Sequence, residues 1–337
     1  MKHAAVSGVI VLLLLPAPMG SQTREPIIDM HLHALAATDQ GPPPVAMCTP
    51  IDMPLWSQER PFAEEFMELL KKPRCADPVW SPRTDGELMS QTIESVRRLN
   101  VFGVIGGPAP RVDAWMAAEP TRFMPGLSLN VGNSATPSVA TMRERHAQGK
   151  LRVIAEVTNQ YSGVLPSDPR MEPYWQLAEE LDIPVGYHLG TGPPGSIYLG
   201  FTNNRPGLHS AQLLDEVLIK HQKLRLYVMH AGYPMLDDML AALYHHPQLY
   251  IDVGVIVYTQ PRPAFYRYLQ AIVDAGFANR VMFGSDQMVW PGVIERSIAV
   301  INEAPFLSAA QKRDILYNNA ARFLRLSNEE MARHRAP

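Results

Sequence analysis

Eight short apolar runs, separated by amphipathic stretches, constrain this chain more than any other feature. They cover residues 27–33, 101–105, 123–129, 153–157, 185–189, 225–229, 249–255 and 280–283. Runs that are apolar throughout, instead of alternating, mark strands buried on both faces of a parallel sheet. Helices are expected between them at 87–100, 109–118, 138–148, 172–181, 208–221, 235–245 and 264–275, with 294–301 and 309–324 finishing the chain. Eight strand–helix units describe an α/β chain folded as a (β/α)8 TIM barrel. An open doubly wound sheet is the alternative. It would carry a glycine-rich first turn if it bound a nucleotide, and none follows the first run.

With 337 residues, 46% of them hydrophobic and 19% charged, the chain can fill one large barrel. A net charge of −3 offers no cationic surface for nucleic acid or an anionic membrane. Residues 1–20 read as a secretory signal: Lys2 and His3 precede an apolar stretch at 4–15, and Pro16 to Ser21 end it with small and turn-forming residues. Such a stretch is too short to span a bilayer. Cleavage near Gly20 and Ser21 would leave a domain of residues 21–337, exported to the periplasm or beyond, with no stable membrane insertion.

Cys48 and Cys75 are the two cysteines. In an exported chain they are expected to form a disulfide. Both fall within 34–86, a proline-rich stretch with Trp56, Trp80 and one expected helix near 61–72. So long an irregular insertion after the first strand is read as a lid stapled by that disulfide.

The first run ends in His31-Leu32-His33. Residues two apart share a strand face, so the two imidazoles project together and make half of a metal site, while Met30 and Leu32 turn the other way. Other runs carry Glu156, or end in His188, His230 and Asp286. In a barrel of this kind all these positions reach one rim. Buried ionisable groups are costly unless paired or bound to metal, so their convergence accounts for each of them.

Five stretches together resemble the amidohydrolase superfamily, in its amidohydrolase-related branch, which includes aminocarboxymuconate-semialdehyde decarboxylase-like enzymes. They are Asp29-Met30-His31-Leu32-His33, Pro184-Val185-Gly186-Tyr187-His188, His230-Ala231-Gly232-Tyr233-Pro234, Phe283-Gly284-Ser285-Asp286 and Asn319-Ala320-Ala321-Arg322-Phe323-Leu324. The resemblance spans most of the chain beyond the signal segment but not 34–86. It implies one or two divalent metal ions, usually zinc, with His31, His33, His188 and Asp286 as ligands. His230 matches a position that is a metal ligand in binuclear members and an acid/base or substrate-polarising group in mononuclear ones. Glu156 matches a bridging position, and a role as hydrogen-bond acceptor to a ligand is equally open.

The resemblance further implies that Asp286 takes a proton from an attacking water while His230 assists the carbonyl or leaving group. The activity would be cleavage of an amide, ester or lactone bond of a small molecule. Nonoxidative decarboxylation of a small carboxylic acid is the alternative, and a barrel that binds metal or ligand without catalysis is a third reading. Substrate contacts are expected from Tyr161, Arg205 and Tyr233, with Asn159, Gln160, Tyr198, Tyr258, Gln287 and Trp290 as further rim residues. His146, His221, His245, His246 and His334 read as surface residues, and His209 is left open. A homo-oligomer is compatible with all of this.

Overall fold

The computed structural model describes residue 1, residues 24–190 and residues 192–336. The expected signal segment beyond Met1, and its cleavage point, lie outside the described residues. No helix among the described residues is long and apolar enough to cross a membrane.

Among the described residues there are ten strands: β1 (Ile27–His33), β2 (Ala46–Met47), β3 (Val79–Trp80), β4 (Val101–Gly106), β5 (Phe123–Leu129), β6 (Val153–Val157), β7 (Val185–His188), β8 (Leu226–Met229), β9 (Tyr250–Asp252) and β10 (Val281–Met282). All but β2 and β3 form one sheet in the order β1-β4-β5-β6-β7-β8-β9-β10. Every neighbouring pair in it is parallel. The last strand segment returns to the first. The Met30 N–H donates to the Phe283 carbonyl at 2.9 Å, and the Asp286 N–H donates to the His31 carbonyl at 2.7 Å. The barrel is therefore closed along a seam between the two ends of the sheet, and the doubly wound alternative is excluded.

Ile28, Met30, Val104, Met124, Val153, Tyr227 and Met282 form one buried cluster, joined by Phe323, Leu324 and Leu326 from the end of the chain. Leu32 belongs to the larger cluster that joins strands to the helical ring. Each such fully buried side chain contributes about 1.5–3 kcal/mol. Simple alternation would send Met30 and Leu32 to the same side. Instead the β1–β4 register shifts between Asp29 and Leu32, and this bulge re-aims the side chains just before the rim.

Most expected helices are found within two residues of their predicted ends, but two are not continuous. The stretch 208–221 breaks into short 3-10 turns and a six-residue helix, Asp215–Lys220. Pro206 and Gly207 start the first turn, and the Ser210 hydroxyl caps the next by accepting from the Gln212 N–H. The helix from Ala309 is interrupted by a π turn at Asp314–Asn318.

An unanticipated helix, Asn328–Arg335, opens with a Ser327/Glu330 capping box. It is pinned by the Arg152–Glu330 ion pair at 2.7 Å and by the His334 ring, stacked 3.7 Å from the Phe102 ring at the start of β4. Burial pushes His334 down to about 4. An unfolded imidazole titrates near about 6.5, so as pH falls below that value the unfolded chain is protonated first and stability is lost. Allowing for partial exposure, the loss on going from pH 7 to pH 4.5 is expected to be about 1–2 kcal/mol. His334→Phe keeps the stacking, and its urea midpoint should fall less than wild type over the same interval.

The Cys48–Cys75 disulfide, with 27 residues of separation, staples the insertion. The β2–β3 ribbon is fixed to the rim by the Trp290 indole N–H, which donates to the Val45 carbonyl at 3.0 Å. On the far side the helix Phe62–Lys71 brings Phe62 within 5.6 Å of the Tyr198 ring, in the loop after β7. The insertion thus arches across the rim from β10 to β7.

Candidate metal centre

At the C-terminal ends of the barrel strands four imidazoles surround two carboxylates. Glu156 Oε1 lies 3.8 Å from His31 Nε2, 3.7 Å from His188 Nε2 and 3.5 Å from His230 Nε2. Its other oxygen is 3.9 Å from His33 Nε2. Asp286 Oδ1 is 2.9 Å from His33 Nε2 and 3.8 Å from His31 Nε2. The structure thus brings together all six residues singled out as ligands or acid/base groups.

Two ligands bound at 2.0–2.2 Å to a tetrahedral ion stand roughly 3.3–3.5 Å apart, so these spacings suit one. One buried atom inside the group, His31 Nε2, has no hydrogen-bond partner among the described residues, while Asp286 Oδ1 has the His33 ring nitrogen at 2.9 Å. Buried polar atoms rarely stay unpaired, and an ion held here would satisfy His31 Nε2. Nitrogen and carboxylate donors together suit zinc and its neighbours in the transition series.

Each ring is oriented from behind. His230 Nδ1 donates to the Gly254 carbonyl at 2.9 Å, which leaves Nε2 facing the carboxylates. His31 Nδ1 faces Asp252 Oδ2 at 3.2 Å. His188 Nδ1 meets the Gln160 amide, and its Nε2 lies 3.1 Å from the Tyr161 hydroxyl. Gln160 Oε1 has no hydrogen-bond partner among the described residues. With the amide turned so that Oε1 accepts from Nδ1–H, the Nε2 lone pair points into the group, as a metal requires.

Electrostatics follow from this crowding. Burial acts to lower His31, yet Asp286, Asp252 and Glu156 together raise it to about 10. Burial would raise Glu156, but the imidazoles, His188 foremost, hold it well below the ordinary carboxylate range. His188 itself is driven far down by burial.

The backbone is strained here as well. His230, Ala231, Val255, Asp286 and Met288 all have positive φ, from 44° to 60°. Such conformations disfavour side chains with a Cβ, most of all the branched Val255. Their concentration on one rim is characteristic of a functional site.

Asp252 and Asp29 take roles that the sequence does not announce, and Gln287, expected on the rim, takes a specific one. Asp252, fully buried, accepts the N–H of His230 at 3.1 Å and of Gly254 at 2.8 Å through Oδ1 while Oδ2 faces His31. Asp29 Oδ1 accepts the N–H of His31 and of Ser285, each at 2.9 Å, across the seam. Gln287 clamps His33 by accepting its N–H at 3.0 Å and donating to its carbonyl at 2.8 Å. Gly254 and Gly284 leave room for His31: a Cβ would sit 2.7 Å from its Nδ1 at the first and 2.9 Å from its Cβ at the second. We expect Asp252→Asn to weaken metal binding about 10–100-fold, by weakening the hold on His31, with circular dichroism unchanged. Titration against a chromophoric chelator measures this, and an unchanged affinity would remove Asp252 from the site.

Among the residues expected at substrate, Tyr161 reaches the group through His188 and packs against Phe201, the rings tilted by 40° with centres 4.7 Å apart. Tyr233 packs against Tyr268. Arg205 is exposed and turned onto its own loop, donating to the carbonyls of Thr202 and Asn204 at 2.6 and 2.7 Å. Tyr258 and Trp290 are buried beneath the rim, and the Tyr258 hydroxyl donates to the Asp286 carbonyl at 2.9 Å.

His221 and His246, read as surface residues, are buried because carboxylates from neighbouring helices receive them. His221 meets Glu179 at 3.0 Å, and His246 meets Asp215 at 2.8 Å. His209 is buried and bonded to Asn204 at 2.7 Å.

The amidohydrolase family profile matches residues 28–326. No curated protein matches the chain. Among solved structures, an uncharacterised TIM-barrel protein from Bordetella bronchiseptica is 19% identical, with a TM-score of 0.61 over 91% of this chain and 99% of that one. A probable 2-pyrone-4,6-dicarboxylic acid hydrolase from Acinetobacter baumannii is 16% identical, with a TM-score of 0.58 over 89% and 99%. A 2,6-dihydroxybenzoate decarboxylase from Rhizobium is 14% identical, with a TM-score of 0.52 over 90% and 99%. At these identities the likeness is one of fold.

Proposed function

The chain belongs to the amidohydrolase family, and on that premise we propose that it is a metal-dependent hydrolase of an amide, ester or lactone bond in a small molecule. The observation that carries this reading is His31 Nε2, buried without a hydrogen-bond partner among the described residues, inside a ring of ligand-type side chains. His31, His33, His188 and Asp286 would hold a divalent ion, zinc by preference, with Glu156 at the same spacing. Such an ion would supply a Lewis acid and would lower the pKa of water toward about 7.

The chain's own groups do the rest. Asp286 Oδ2, the oxygen not turned to His31 and His33, accepts the proton of the attacking water. His230, its tautomer held by the Gly254 carbonyl, carries Nε2 into the same space and assists the carbonyl or the leaving group. The Tyr161 hydroxyl, 3.1 Å from His188, is placed to donate to a developing oxyanion. The insertion over the rim limits water and shapes the pocket. The Cys48–Cys75 bridge supports an exported, oxidising location.

Metal content is measured on protein purified without added metal, proton release is followed on a set of esters and lactones, and amine release on a set of amides. The expected result is turnover that stops on chelation, returns with zinc and is lost together with the ion in His31→Ala. Two results overturn the reading. One is the absence of metal even after reconstitution. The other is release of carbon dioxide from a set of carboxylic acids with no hydrolysis, which would make the chain a decarboxylase like the alternative considered above.

A further inference from the structure

The helical ring carries a second group of metal-binding side chains apart from the strand ends. Asp215 opens the helix Asp215–Lys220, His245 ends the helix Leu236–His245, and His246 follows it. The chain enters β9 four residues after His246, so the group lies toward the end of the barrel where strands begin, away from the rim. His246 Nε2 is 2.8 Å from Asp215 Oδ1, and His245 Nε2 is 3.8 Å from the same oxygen. The two rings stand nearly perpendicular, 88° apart, with centroids separated by 4.7 Å. One ligand atom from each residue falls within 4.8 Å of the others.

We propose that Asp215, His245 and His246 form a peripheral site for a divalent transition cation of the zinc, nickel or copper type. Ligands on such an ion stand about 3.3 Å apart, a value bracketed by the two distances to Asp215. Two imidazoles and one carboxylate disfavour magnesium and calcium, which take oxygen ligands. The three residues have unequal freedom, which suits capture. His246 is buried and fixed, its carbonyl accepting from Arg280 at 2.9 Å. The His245 side chain is 65% exposed and can swing to close the site. Water would complete the coordination. The Asp215–His246 hydrogen bond accounts for the placement of His246 by itself; it does not account for a second imidazole turned toward the same oxygen.

The site has a practical consequence. A count of two metals per chain would not require two ions at the strand ends, because one would sit here. It would also tie the helix before β8 to the helix before β9 and raise thermal stability in the presence of the ion.

The test uses the full chain, stripped of metal and titrated with zinc against a chromophoric chelator, as wild type, His31→Ala, His245→Ala and Asp215→Asn. His245→Ala and Asp215→Asn should each weaken one equivalent by more than about tenfold and leave the others unchanged. That same equivalent should persist in His31→Ala. Zinc should also raise the melting temperature of His31→Ala, and a second substitution at His245 should abolish that rise. Identical titrations for wild type, His245→Ala and Asp215→Asn would overturn the proposal. A His31→Ala variant that loses nothing would count against the metal centre on the rim alone, so the two readings fail separately.

Discussion

Asp286→Asn is expected to cut turnover by about a thousandfold or more, with the fold intact and much of the metal still bound. The substitution is nearly isosteric, and the backbone of residue 286 is held from both sides. Its N–H donates to the His31 carbonyl, and its carbonyl accepts the Tyr258 hydroxyl. An asparagine can still face His33, but its amide cannot take up a proton from water near neutral pH. The loss should appear in kcat and leave KM nearly untouched, because the role belongs to the transition state. Steady-state kinetics with a parallel metal count measure it. Full activity would end the water-activation role and return Asp286 to the part of ligand alone.

The second large effect concerns the disulfide. A loop of 27 residues closed by Cys48–Cys75 is worth about 3–4 kcal/mol in the chain-entropy account. Replacing both cysteines by serine should therefore destabilise the insertion by that order, with the barrel beneath keeping most of its own stability. Limited proteolysis should cut within 49–74 much faster in the variant, and KM should rise as the arch over the rim loosens. Cleavage at the wild-type rate would mean that the rim contacts, chiefly Trp290 to Val45, hold the segment unaided.

The barrel was legible because a strand buried on both faces leaves a local signature that no partner is needed to read. The candidate rim residues were legible for the same reason: His188, His230 and Asp286 are ionisable groups arriving just after apolar runs. Asp252 obeys that rule too. It was overlooked because its run continues through Val253, Gly254 and Val255, so it looked like an interior residue instead of a strand end. Gln160 is expected on the rim, but its hold on His188 is not readable from the chain, since it exists only through contact between the ends of two strands. His221 and His246 failed for the opposite reason. Residue type suggested solvent, whereas Glu179 and Asp215 on other helices make burial tolerable. The β1 bulge is likewise invisible locally, because it depends on register against β4.

The closing seam bears on how the molecule comes into being. His33 and Gln287, which clasp each other there, stand 254 positions apart in the chain. The candidate ligands divide the same way, with His31 and His33 made first during synthesis and Asp286 made nearly last. A growing chain can form most of its strands before any complete ligand set exists. Contacts between such distant positions form late and slowly. An ion that needs both ends therefore binds only the finished molecule, and its binding free energy adds to that of closure. Metal loading would then act as a check on completed synthesis, separating whole molecules from shortened ones that still look folded by their helices.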